Sequence, residues 1–196
     1  MKTQKLLWAA LALACTFTFS CKKDNGNNSG NNESGKDSKA TQALVYTYFQ
    51  VTKDMYENLN VKFIIQNPGD QKREFVITND GQLEASTSDK YKFYKVPLAV
   101  GSFPGTTTVK TEITVKDGVD INAVEKLDFY KGYKYQYATY DAANQQVEAS
   151  GVESKLSNNP TTSTGAKFKA LLDAGSVNQE LSFAFDANGK CTFKHN

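Results

Sequence analysis

Beyond residue 40 the chain alternates apolar and polar positions with period two, the pattern of strands that bury one face. Leu44 to Val51 is dense in β-formers. Leu59, Val61, Phe63 and Ile65 interleave with Asn60, Lys62 and Gln66 until Asn67-Pro68-Gly69-Asp70 turns the chain. Phe75 and Ile77 follow, then the turn Asn79-Asp80-Gly81. Tyr91 to Val100 continues the alternation up to the break at Phe103-Pro104-Gly105. The cleanest strand is Thr107 to Lys116, with Val109, Thr111, Ile113 and Val115 on one face and Lys110, Glu112, Thr114 and Lys116 on the other. Gly132 to Tyr140 and Gln145 to Val152 flank the turn Asp141-Ala142-Ala143-Asn144. Seven short strands separated by turn signals predict an all-β, antiparallel, two-sheet sandwich. A parallel sheet would need repeated crossover helices between strands, and the pattern has none.

Residues 154–196 read as a C-terminal extension of that body. Ser157 to Ser163 is a predicted loop. Ala166 to Ala174, with Phe168, Leu171 and Leu172 at helical spacing, predicts a short helix closed by Gly175. Leu181, Phe183 and Phe185 then alternate, Asp186-Ala187-Asn188-Gly189 turns, and Cys191, Phe193 and His195 alternate again, which predicts a terminal β-hairpin.

The N-terminus has a different grammar. Lys2 and Lys5 precede a mostly apolar run from Leu6 to Phe19, the n-region and h-region of a secretory signal. The run is short for a stable spanning helix. It stops at Ser20-Cys21, a small residue and a cysteine that resemble the lipobox of bacterial lipoproteins, in which the thiol is acylated and becomes the new N-terminus. Cys15, after Ala12-Leu13-Ala14, is the competing position, but it would strand Thr16 to Phe19 in the mature arm. Residues 1–20 thus read as a signal peptide and 21–39 as a lipidated cysteine with a tether. From Lys22 to Lys39 no aliphatic or aromatic side chain occurs, so burial cannot offset the entropy of ordering, and a flexible coil of roughly 20–25 Å reach is expected. Residues 40–196 form one domain's worth of chain.

One local motif narrows the fold. Leu127-Asp128-Phe129-Tyr130-Lys131-Gly132-Tyr133 sets a leucine six residues before a tyrosine, with glycine immediately ahead of it at the start of a strand. This resembles the tyrosine corner of immunoglobulin-like and fibronectin type III sandwiches. The core tryptophan and inter-sheet disulfide of antibody domains have no counterpart, because Trp8 lies in the signal and Cys191 alone remains after lipidation. The signal, the Cys-Lys-Lys-Asp start, the Asn/Gly/Ser tether and the Tyr/Val-alternating body together resemble the small single-domain lipoproteins of Bacteroidetes. That resemblance implies an immunoglobulin-like Greek-key sandwich, an outer-membrane location and a non-catalytic role. It carries no site residues over.

Charge and composition then exclude several classes. The net charge of +2 comes from the two lysines of the signal, so the remainder is neutral and lacks the electrostatic footprint of a nucleic-acid binder. With three cysteines and one histidine, metal clusters are not expected and no cofactor is implied. His195 stands beside Cys191 on the terminal hairpin without a third orienting group, so Cys191 reads as a small buried hydrophobe rather than a nucleophile. Asp70, Asp80, Asp89, Asp117, Asp120, Asp141 and Asp186 sit in turns, where bonding to the local backbone is the default. Asp186-Ala187-Asn188-Gly189 resembles part of a calcium loop but lacks the later glutamate.

The ten tyrosines are the main candidate chemistry. Tyr133, Tyr135 and Tyr137 share one face of a strand, opposite Lys134 and Gln136, and read either as a platform on which sugar rings stack or as a core face. Tyr46 and Tyr48 carry the same ambiguity. Tyr91 and Tyr94 fall on opposite faces, so one of them, Tyr94 being the stacking candidate, is expected to be exposed. The functional expectation is a non-catalytic, lipid-anchored envelope module acting in protein interaction or envelope structure. The alternatives are a glycan-binding accessory lipoprotein, or a protease inhibitor presenting the segment Asn158 to Thr164. Lys22 and Lys23 leave surface-facing and periplasmic orientations equally open.

Overall fold

The computed structural model describes residues 39–67 and 70–196. Cys15, Cys21 and most of the segment expected to be signal and tether lie outside these residues. The described chain is predominantly antiparallel β-structure in two main sheets. The first sheet joins β1 (Gln42–Val51), β4 (Lys92–Val100), β7 (Tyr133–Tyr140) and β8 (Gln146–Lys155) in the order β4-β1-β7-β8. The second joins β2 (Leu59–Gln66), β3 (Arg73–Ile77), β5 (Gly105–Val115), β10 (Glu180–Phe185) and β11 (Cys191–His195) in the order β11-β10-β5-β2-β3. A small ladder pairs β6 (Leu127–Phe129) with β9 (Thr161–Ser163), and two helices, α1 (Lys53–Asn58) and α2 (Gly165–Asp173), complete the set.

The two sheets bury their inner faces against each other, because the alternating apolar residues of both enter one continuous cluster. Phe63 of β2 is fully buried between Phe49 of β1 and Tyr94 of β4, with ring centroids 4.8 and 4.6 Å away. Tyr135 of β7 meets Phe183 of β10 edge-on at 4.9 Å. These contacts join strands far apart in sequence, so the core and the topology are the same fact.

The strand reading holds closely, with three differences. The first is α1, which is too short for a helical period to show. It forms because Thr52 caps it, accepting a hydrogen bond from the Met55 amide, while Met55 is buried beneath it. The second concerns residues 154–196, which are no appendage. β10 is inserted beside β5, and Leu181 and Phe183 are fully buried, so this segment supplies two of the second sheet's strands. The third is the β6–β9 ladder: the last three residues of the predicted loop at Ser157 to Ser163 pair with β6, a three-residue strand that the alternation did not predict.

Helix α2 and the turns behave as their residues dictate. Thr164 caps α2, and Gly175 takes φ 68° just past its end. Phe168 is fully buried against Phe129. Gly165 is required by close approach: a Cβ there would lie 1.7 Å from the Ile121 carbonyl oxygen, and its own amide donates to the Val124 carbonyl at 2.8 Å.

Candidate functional site

The tyrosine stripe of β7 lies on one face, as its spacing requires, but that face is the inner one. Tyr133 is 0% exposed and Tyr135 8%, packed against Phe193 and Phe183, and Tyr137 is half-buried edge-on to Phe185. These three rings are core, the second of the two readings open for this stripe, and no sugar platform forms on this strand. Lys134 and Gln136 across the pleat mark the outward side, so the binary pattern was the better guide than the aromatic count.

Tyr94 is also buried, stacked on Phe63, and the expectation that either Tyr91 or Tyr94 is exposed fails, because both are 8% exposed. The reason is a second small cluster on the outward side of β4. Tyr91, Phe93 and Tyr130 pack edge-to-face there, with Tyr48 and Leu156 against them. The roof of this cluster is clipped down by Gln50, which points outward from β1 yet is 2% exposed. Its Oε1 accepts from the Ser157 amide at 3.0 Å and its Nε2 donates to the Ser157 carbonyl at 2.8 Å. Gly132 makes room for that side chain, since a Cβ there would fall 1.6 Å from the Gln50 Oε1.

The candidate reactive groups are each absorbed locally. Burial pushes the half-buried Cys191 thiol up to about 11, so it is protonated at neutral pH. The His195 ring rests on Tyr133, and burial first, then the charges of Lys155 and Lys131, hold it below the usual imidazole range. Asp186 Oδ1 accepts from the Asn188 and Lys190 amides at 2.8 and 3.0 Å, the bonding of a turn residue. Asp141 does the same for Ala143 and Gln145. No group of three or more metal-ligating side chains occurs among the described residues, nor does any helix long and apolar enough to cross a membrane. In Asn158 to Thr164, Thr161–Ser163 lies in the ladder with β6 and Thr164 caps α2, so much of this segment's backbone is already engaged.

What remains is a contrast between the two outward faces. The second sheet presents interleaved charges, with Lys62 bridging Glu74 and Glu112, and Lys110 directly opposite Glu180. This is an ordinary solvated face. The first sheet is built otherwise. At its covered end, Lys95 lies over the Tyr46 ring at 4.4 Å and Lys134 over Tyr48 and Phe93 at 4.7 and 4.3 Å, with Glu84 paired to Lys95. Burial first, then the Glu84 charge, raises the Tyr48 hydroxyl above the usual phenol range.

Toward the end where the chain enters β1, the first sheet's outward face changes character. Cross-strand register sets Ala99, Leu44, Ala138 and Ala149 side by side across all four strands. The row on the Lys95 side contains Pro97, Tyr46 and Gln136, and the row beyond contains Gln42, Tyr140 and Gln146. Pro97 and the two β8 residues Gln146 and Ala149 are exposed, whereas Leu44, Tyr46, Ala99, Gln136 and Tyr140 are half-buried. None of these three rows carries an Asp, Glu, Lys or Arg among the described residues. A tyrosine thus stands on either side of an apolar floor of three alanines and Leu44, and glutamines line the two flanking rows. The sequence signal for this surface was present in the outward positions of Leu44 to Tyr48, but only strand pairing shows that their neighbours are uncharged too.

Compared with protein-family models, with curated proteins and with solved structures, the chain matches none.

Proposed function

We propose that this chain is a non-catalytic binding module of the bacterial envelope, held at the outer membrane by a lipid on Cys21 and acting by association with an envelope component. The N-terminal pattern supports the anchor, since a processed lipoprotein carries more than one acyl chain and two or more hold stably. The strand order supports an immunoglobulin-like Greek-key reading of the body. Strands β1 and β4 are neighbours in one sheet while β2 and β5, each next but for a short segment in the chain, are neighbours in the other.

The observation that carries the binding role is the uncharged, tyrosine-bearing end of the first sheet's outward face, set against the charge-laced face of the second. A surface kept free of charge over four strands is a feature of contact sites rather than of solvated faces. Two measurements test the reading. Metabolic labelling with a palmitate analogue should mark the wild-type chain and not Cys21→Ala. Label lost from Cys15→Ala instead would move the anchor, and label lost from neither would remove it. A photo-crosslinking residue at Ala149 should give envelope adducts in living cells, whereas one at Lys110 on the opposite face should not. Equal yields at the two positions would defeat the assignment of the face.

A further inference from the structure

We infer that the uncharged end of the first sheet's outward face is a binding site for a neutral oligosaccharide, lying across β4, β1, β7 and β8 with Tyr46 and Tyr140 as its rings. The inference rests on the binding role proposed above and names its ligand class.

The chemistry of the face selects among occupants. A sugar chain without carboxylates or sulfates presents C–H faces and hydroxyls, and carries no charge to be matched. Its complement is aromatic surface for the C–H faces, amides that both donate and accept for the hydroxyls, and no desolvated ion. Tyr46, one face of whose ring carries the Lys95 ammonium at 4.4 Å, and Tyr140 provide the first, and Gln136 and Gln146 the second. The third follows from the three rows being free of charged side chains among the described residues. The alanines matter as much as the rings. Ala99 and Ala149 stand at either margin of the central row and keep it low, so an extended chain can lie flat between the tyrosines.

Size argues against a second copy of the chain as occupant. With strands about 4.8 Å apart and about 6.8 Å between residues on one face, four strands by three rows cover roughly 400 Å². A stable protein interface needs about 800 Å² from each partner. Extending the contact in one direction meets Lys95 and Lys134, which two symmetric copies would have to bury facing their like. An oligosaccharide of a few rings needs no more than the area present. An acidic polymer is disfavoured by the same composition: the nearest ammoniums sit over Tyr46, Tyr48 and Phe93, and Lys95 is paired with Glu84.

Affinity electrophoresis of the full chain, solubilised in a non-ionic detergent, tests this with defined probes. The gels contain hydroxyethylcellulose, glucomannan, xylan, pullulan or, as the acidic control, polygalacturonate. The expected result is retardation by at least one neutral polymer, with mobility unchanged between 50 and 500 mM salt (roughly the range over which charge-driven binding collapses). Tyr46→Ala and Tyr140→Ala should each weaken retardation at least about tenfold, the scale of losing one stacked ring of about 1.4 kcal/mol. Ala149→Glu, at an exposed position whose change does not disturb the core, should weaken it comparably while leaving the thermal unfolding midpoint in place. Lys110→Ala on the opposite face should bind as the wild type does.

Retardation by none of the neutral polymers overturns the inference, as does retardation by polygalacturonate alone or binding that Ala149→Glu leaves intact. Adducts from position 149 in cells, together with no neutral-polymer binding, leave the binding module standing with a different ligand. Loss of both results removes the module and its ligand together.

Discussion

The Gln50 clip is the sharpest place to test how the outward face is built, because one buried amide makes two hydrogen bonds to one residue. Gln50→Ala removes the acceptor for the Ser157 amide and the donor for the Ser157 carbonyl, held at 3.0 and 2.8 Å. Each bond contributes about 0.5–1.5 kcal/mol net, and backbone groups left unpaired in a partly buried place add about 1 kcal/mol more. The loss of the side chain's own packing is small beside these. The sum is about 2–4 kcal/mol, which corresponds to a fall in melting temperature of roughly 5–15 °C for a body of this size. Urea unfolding followed by far-ultraviolet circular dichroism reads this as a lower midpoint with an unchanged slope. Hydrogen exchange at the Ser157 amide should accelerate selectively.

A second variant separates geometry from bulk. Gln50→Glu keeps the shape and the acceptor but presents a carboxylate oxygen to the Ser157 carbonyl. Burial there raises the folded-state pKa of the new acid above its unfolded value, so protonation restores a donor. Its stability relative to the wild type is therefore fully present below the unfolded carboxylate pKa and is lost as pH rises through the folded one. A Gln50→Ala midpoint within about 0.5 kcal/mol of wild type, or a Gln50→Glu deficit that does not shrink on acidification, would refute the clip.

Other outcomes follow from the same structure. Phe63→Ala deletes a fully buried ring between Phe49 and Tyr94 and should cost about 3–5 kcal/mol in equilibrium unfolding, whereas a loss under about 1.5 kcal/mol would mean the sheets do not pack as described. Gly165→Ala drives a Cβ to 1.7 Å from the Ile121 carbonyl oxygen, while Gly175→Ala at φ 68° meets no atom within 4 Å. The second should cost only about 1 kcal/mol of backbone strain and the first clearly more; equal effects in a thermal melt would contradict the close approach. Cys191, with its thiol pushed up from 9.0 to about 11, should be alkylated by iodoacetamide at pH 8 roughly a hundredfold more slowly in the native than in the urea-unfolded chain. Because the folded pKa is the higher, this group favours the native state below the unfolded value and ceases to do so as pH climbs through about 11.

Much of the architecture was legible because local rules act on local residues. Strands such as Leu59–Gln66 and Glu180–Phe185 follow from the period of their apolar positions. The helix at Gly165–Asp173 and the positive-φ turn glycines Gly175 and Gly189 follow from capping and turn chemistry. The six-residue α1 escaped because its signal is the Thr52 cap and a single buried Met55, shorter than two helical turns.

The tyrosines mark the boundary between the two kinds of knowledge. Alternation alone states that Tyr133, Tyr135 and Tyr137 share a face and that Lys134 and Gln136 share the other; it is silent on what lies against either face. The outward side of β4 at Phe93 is roofed by Tyr91 and Tyr130, and Gln50 beneath Ser157 is buried for the same reason. Neither follows from a period of two. Composition and patterning by themselves determined an all-β body and its turns, because those depend on neighbours in the chain. The pairing of β10 with β5 and the charge-free rows of the first sheet were decided only by tertiary structure. There the relevant neighbours are dozens of residues apart, and register between strands, not order along one strand, sets which side chains meet.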